Sequence, residues 1–268
     1  MSLSRRIAHN TILQFASKIA GTVIGLFAVA IMTRYLGQAG FGHYSTIMGF
    51  LQFFGIMVDF GLTLTTAQLL SQSRTQGQAA TWDEETLFAN ILGLRTVSAA
   101  IFLGLAPLIV IFFPYPPLVK LGIAVGTLSF FFMSLNQIFL GFYQTHLKMA
   151  PVSFAEVGNR IFLLIAIALI AWLDLGLLAI MVAVVGSNII QFLMLVLPAT
   201  RLSRIRLALQ PAVLLHIWAS TWPIALSIAL NLLYLKTDIL VLSIFRSPEE
   251  VGLYGAAYKV VDVLTTFP

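Results

Sequence analysis

Read for apolar and polar positions, the chain resolves into long apolar runs joined by short polar stretches. A bilayer-spanning helix needs about 20 mostly apolar residues, more if it tilts. On that criterion the pattern predicts helices over Asn10–Leu36, Phe41–Leu70, Leu87–Phe113, Leu118–Tyr143, Val152–Leu173 and Leu177–Leu197. A seventh starts near Val213 and an eighth near Gly252. The third closes at Pro114-Tyr115-Pro116-Pro117, where proline removes backbone donors and clashes with a continuing helix. The longest polar joints, Ser71–Glu85 and Ala199–Gln210, are too short to hold a soluble catalytic domain. The prediction is an all-α polytopic membrane protein whose work is done inside the bilayer.

Composition agrees. Hydrophobic residues make up 59% of the chain and charged residues 9%, against about a quarter charged in soluble domains. The absence of cysteine removes disulfides, thiolate metal sites and cysteine nucleophiles. His9, His43, His146 and His216 are scattered without metal-ligand spacing, and no glycine-rich phosphate loop or catalytic triad spacing is present. No cofactor is implied. A membrane sugar ligase or polymerase needs a sizeable loop of convergent polar residues. The joints Gly37–Gly40, Pro114–Pro117 and Asp174–Gly176 are too short for one, so the enzyme class is set aside.

The formal net charge of +5 sits mostly at helix ends and reads as topology information, not as a nucleic-acid patch. Arg5 and Arg6 precede an apolar run too long for a signal peptide, which predicts a retained first helix. With the N-terminus inside, Arg5, Arg6, Arg74, Lys148, Arg201, Arg204 and Arg206 fall on the cytoplasmic side. Only Arg34, Lys120 and Arg246 face outward. The excess of basic residues inside favours that orientation.

An internal repeat organises the chain. Residues 30–44, ending Gly42-His43-Tyr44, and residues 240–254, ending Gly252-Leu253-Tyr254, share one pattern: an apolar helix end, a basic residue, a short turn, then Gly-x-Tyr opening another helix. The copies are 210 residues apart with an even number of spans between them, the arrangement of a parallel repeat about an axis along the membrane normal. This places a six-helix N-terminal bundle in residues 1–210 and the first two helices of a second bundle in residues 211–268. It also makes the seventh helix long, from about Val213 through Lys236 and Asp238 to Phe245, with a bend expected at Pro223. The chain then reads as the first part of a truncated two-bundle transporter.

Several motifs resemble a known family. Arg34-Tyr35-Leu36-Gly37, Gly40-Phe41-Gly42-His43-Tyr44 and Asp59-Phe60-Gly61-Leu62 are similar to the opening of polysaccharide (O-antigen-type) flippases. Those flippases belong to the multidrug/oligosaccharidyl-lipid/polysaccharide exporter superfamily. Lys236-Thr237-Asp238-Ile239-Leu240 and the segment Glu250 to Tyr258 resemble the start of that family's second half. The resemblance implies a two-bundle transporter of twelve to fourteen helices with a central cavity. Its cargo would be undecaprenyl-diphosphate-linked oligosaccharide, flipped across the bacterial cytoplasmic (inner) membrane for O-antigen or lipopolysaccharide biosynthesis. Its implied partners are that lipid-linked sugar, membrane lipids and other polysaccharide assembly proteins. A cation- or proton-coupled multidrug exporter of the same architecture is the alternative.

Ionisable residues within spans cost about 2.5–3.5 kcal/mol at the helix centre on insertion scales, so they usually face a cavity or a partner. A diphosphate headgroup calls for cations, and Lys18, Arg95 and Lys236 are the candidate substrate-binding set. Snorkelling to the interface is the competing reading for Lys18. Asp59, next to a glycine able to loosen its helix, and Asp238 are candidate ion-coupling carboxylates, or else neutralise a cation or cap a helix break. Glu156 and Arg160, at i and i+4, read as a structural ion pair, and Lys259 with Asp262 likewise. Gln137, Asn188 and other polar residues in the spans serve equally well as cavity lining or as interhelical hydrogen-bond partners.

Overall fold

The structure is a computed structural model describing residues 3–59, 61–76 and 81–266, except for the side chains of 3–9, 76, 223–224, 228–229, 231–236, 260 and 262–266. Helices account for the fold: α1 Leu3–Asp59, α2 Leu62–Gln76, α3 Glu84–Ile109, α4 Pro117–Thr145, α5 Ala150–Leu173, α6 Gly176–Ala199, α7 Pro211–Phe245 and α8 Pro248–Thr266. Among the described residues, five stretches are long and apolar enough to cross a bilayer. The first, Asn10–Thr75, holds 66 residues, about 99 Å of helix against a hydrocarbon core of about 30 Å. It has to cross twice. The reversal comes at Gly37, whose φ of 65° and ψ of −175° interrupt α1; glycine alone adopts this conformation without a Cβ clash. Ala28 and Met32 of the first arm line one cavity with Tyr44 of the second, so the arms fold back on each other.

The predicted second helix, Phe41–Leu70, is corrected. It is interrupted after Asp59 and restarts at Leu62, with Gly61 at φ 71°. The other spans start and stop within a few residues of the expected positions, for visible local reasons. Asp83 caps α3, accepting the Thr86 amide at 3.1 Å, and Glu84 and Glu85 place negative charge on the first turn. Proline stands in the first turn of α4, α5 and α7, where its missing N–H costs nothing. The long seventh helix is present as one element of 35 residues; the Pro223 side chain lies outside the described residues.

Two apolar clusters hold the helices together. One surrounds Phe41, Ile47, Phe50, Leu51 and Ile123 towards the Gly37 end, and the other surrounds Phe88, Phe139, Phe142 and Tyr143 towards the opposite end. The opposite end also carries the segment joining α6 to α7, strapped across α3. The Ala208 amide donates to the Ala89 carbonyl at 3.1 Å, and the Gln210 amide donates to Asn90 Oδ1 at 2.6 Å. A Cβ on Gly93 would meet the Ala208 carbonyl oxygen at 2.1 Å, so glycine is what admits the strap.

The repeated joints meet face to face. A Cβ on Gly42 would lie 1.7 Å from the Pro248 carbonyl oxygen, and one on Gly252 would lie 2.2 Å from that of Gln38. Residues 38 and 42 correspond to 248 and 252 under the repeat offset, so each joint packs on the counterpart of its own neighbour. Gly255 packs on Ser45, its own counterpart. Such reciprocity is the signature of a two-fold contact.

Candidate functional site

The site candidates sit where charge survives inside the apolar frame. A cavity of about 280 Å³ opens between the first arm of α1, α5, α6 and α8. Lys18, Glu156, Arg160 and Lys259 line it, with the buried Tyr44 ring. Lys18, Gly21 and Gly25 recur every three to four residues and share one face of α1. Arg160 crosses that face where side chains are missing. A Cβ on Gly21 would lie 3.6 Å from Arg160 Cγ, and one on Gly25 would lie 3.5 Å from Arg160 Nη1. Small residues spaced by four let transmembrane helices approach closely; here the gap they leave admits a guanidinium. Among the described residues, no salt bridge joins Glu156 to Arg160. Lys18 and Arg160 therefore face the cavity with one carboxylate, Glu156, an arrangement that attracts anions; Lys259 lines it from α8.

Arg95 has a different fate. Its side chain is fully buried, and its two terminal nitrogens belong to a network at the break between α1 and α2, while Nε has no hydrogen-bond partner among the described residues. Nη1 donates to the Val58 carbonyl at 2.9 Å, while Nη2 reaches Asp59 Oδ1 at 2.6 Å, Thr63 Oγ1 at 2.7 Å and Gln137 Oε1 at 3.4 Å. The Thr63 hydroxyl in turn donates to Asp59. In an uninterrupted helix the Val58 carbonyl would accept from the residue 62 amide; the break frees it and Arg95 takes it. The Asp59 carboxylate neutralises the guanidinium where neither is well hydrated. Arg95 and Asp59 are thus brought together as partners, apart from Lys18.

Asp238 accepts hydrogen bonds from the Ile239 amide at 2.8 Å and from the Tyr254 hydroxyl. It lines a small cavity of about 40 Å³ with Tyr44, Gln52 and Lys259. The Lys236 and Asp262 side chains lie outside the described residues. A third cavity, about 340 Å³, lies beside the helix break, lined by Gln52, Asp59, Thr63, Ser134 and Gln137 among others. Sequence reasoning named Lys18 but assigned Arg160 to a local ion pair with Glu156; its reading of Lys259 with Asp262 falls on a side chain outside the described residues. The available signal was the Gly21-Thr22-Val23-Ile24-Gly25 spacing, which marks a close helix approach on the Lys18 face.

Among the described residues the fold is helical and multi-pass, with charged cavities between its helices, the architecture of a polytopic membrane protein. The chain belongs to the polysaccharide biosynthesis protein family, whose sequence model matches residues 7–267. No curated protein matches it in sequence. Its fold is similar to the crystal structure of the eukaryotic MATE transporter AtDTX14, with a TM-score of 0.68 at 16% identity. That similarity covers 97% of this chain and 62% of the transporter, so the chain spans somewhat under two thirds of that protein's length.

Proposed function

We propose that the protein flips undecaprenyl-diphosphate-linked oligosaccharide across the bacterial cytoplasmic membrane, with its N-terminus cytoplasmic, by alternating access between two bundles. Residues 1–210 form the first bundle and residues 211–268 begin the second. The observation that carries this reading is the cavity faced by Lys18 and Arg160 against the single carboxylate of Glu156. A diphosphate needs several cations, and a site with a cationic surplus selects it over the cationic cargo of a drug exporter. Lys236, two residues before Asp238, stays in the proposed cation set; Arg95 leaves it because its charge is spent on Asp59. Of the two carboxylates proposed for ion coupling, Asp238 is the better placed, since it lines a cavity between α1 and the α7–α8 pair.

A MATE-type exporter of drugs is the second reading, supported by the fold similarity. The deciding experiment expresses the gene in a bacterium lacking its glycan flippase and scores surface glycan against accumulated lipid-linked precursor. Restored surface glycan, lost again in Arg160→Gln and Lys18→Gln at equal membrane levels, is the expected result. Efflux of cationic dyes without any effect on precursor would favour the exporter.

A further inference from the structure

We infer that the cavity beside the helix break is a saccharide subsite: it takes the uncharged, hydroxyl-rich sugars of a substrate whose diphosphate lies in the cationic cavity. The inference rests on the flippase reading above and assigns the sugar end of that substrate to a place of its own.

Three observations carry it. The first is charge. Asp59 is the ionisable residue lining this cavity, and Arg95 cancels it from behind at 2.6 Å. An anion or a free cation therefore finds no net charge to bind, whereas a neutral polyol finds hydrogen-bonding groups. The second is the state of the amides. Gln137 uses its oxygen to accept from Arg95, and among the described residues its amide nitrogen donates to no protein group. Gln52 likewise has no hydrogen-bond partner among the described residues, although it stands in a membrane-spanning arm. Uncommitted amides at that depth are costly unless water or ligand satisfies them. Donor nitrogens with an acceptor oxygen, beside the Thr63 hydroxyl and the apolar wall of Phe130 and Met133, are the groups that recognise sugar hydroxyls and ring faces.

The third observation is continuity. Tyr44 and Lys259 line both the cationic cavity and the small one beside it, and Gln52 lines both that small cavity and the polar one. The three form a row along the second arm of α1. From Tyr44 to Asp59 this arm spans about 22 Å at 1.5 Å per residue, a length suited to a diphosphate carrying several sugars. The polar cavity, about 340 Å³, falls in the range of small-molecule sites, about 300–1,000 Å³.

The test uses the purified protein in lipid nanodiscs and saturation-transfer NMR. The probes are methyl glycosides of glucose, galactose and N-acetylglucosamine, and separately farnesyl diphosphate. Saturation transfer to at least one glycoside is expected. Gln52→Leu should weaken it about fivefold, the value of one ordinary hydrogen bond, and Lys18→Gln should leave it unchanged. Farnesyl diphosphate binding should show the reverse dependence. Gln137→Leu is the second variant; Gln52 carries no structural hydrogen bond, so its replacement leaves the fold intact. Absence of transfer to every glycoside, or transfer undiminished in both glutamine variants, overturns the subsite. If farnesyl diphosphate still binds through Lys18 in that case, the flippase reading stands without it. Glycoside binding that follows Gln52 while farnesyl diphosphate fails to bind keeps the subsite and removes the lipid diphosphate.

Discussion

Two arginines inside the spans, Arg95 on α3 and Arg160 on α5, solve the same problem in opposite ways. Arg95 is fully buried and has a carboxylate, a freed carbonyl, a hydroxyl and an amide oxygen around its guanidinium. Arg160 is exposed to a cavity, and glycines 21 and 25 on the facing helix leave room for it. The first is a brace for a broken helix, and its charge is consumed locally. The second keeps its charge for whatever enters. An intramembrane arginine is therefore not a binding residue by virtue of its charge. What decides is whether the surrounding helices supply a partner or a space.

The largest expected effect comes from breaking the brace. Arg95→Met leaves the half-buried Asp59 without its cation; removing one member of a fully buried pair costs about 3–5 kcal/mol, and the cavity beside Asp59 puts this pair towards the lower end. Thermal unfolding in detergent and the amount of protein in the membrane should both fall sharply. The double variant Arg95→Met/Asp59→Leu should recover much of the loss. If Arg95→Met alone unfolds normally and only loses substrate, the contrast with Arg160 collapses.

Arg160→Gln should change binding and leave folding alone. Losing one charge-assisted hydrogen bond, about 1.5–3 kcal/mol, weakens farnesyl diphosphate binding roughly 10- to 100-fold at 1.4 kcal/mol per decade. The unfolding temperature should stay near that of the parent, and a large drop would move Arg160 into the structural class.

Filling the space sharpens the same point without touching a charge. Gly25→Ala places its Cβ at ordinary contact distance, 3.5 Å from Arg160 Nη1, and should be tolerated. Gly25→Leu should cover the guanidinium and reduce farnesyl diphosphate binding several-fold with Arg160 intact. Equal binding by the two variants would show that the cavity does not depend on that gap.

The smallest effect belongs to a charge that water already serves. Hydrogen bonding from the Thr86 side chain, joined by nearby amides, holds the Asp83 carboxyl below its ordinary value. A carboxyl whose folded pKa is depressed adds stability above its unfolded pKa of about 3.9 and loses it as pH falls through the folded value. Asp83→Ala should therefore cost about 1 kcal/mol at neutral pH, as lost caps do. The difference from the parent should close below about pH 4 in thermal melts, and one that persists in acid would assign Asp83 another role.

Much of the fold could be read along the chain. The spans over Leu118–Tyr143, Val152–Leu173 and Leu177–Leu197 match α4, α5 and α6 because their limits are set locally, by proline, glycine and the length a bilayer demands. The break after Asp59 was only hinted at by Gly61. Whether a glycine opens a helix depends on what satisfies the freed carbonyl, and here the answer is an arginine 37 residues further on. The candidate site was legible in part. Lys18 was named from the sequence and lines a cavity, whereas Arg160 looked like half of a local pair, since i and i+4 spacing shows which residues can meet and not which way they turn.

The order of residues was enough for where most of the spans lie and where they end, because that follows from transfer of apolar side chains into hydrocarbon and from local backbone chemistry; the break after Asp59 was not among them. Only the tertiary structure decided which charges are neutralised and which stay available. Partners such as Arg95 with Asp59, or Arg160 with the glycines of α1, are distant in sequence. The electrostatic outcome depends on burial and distance between helices, neither of which is written in the order of residues along one of them.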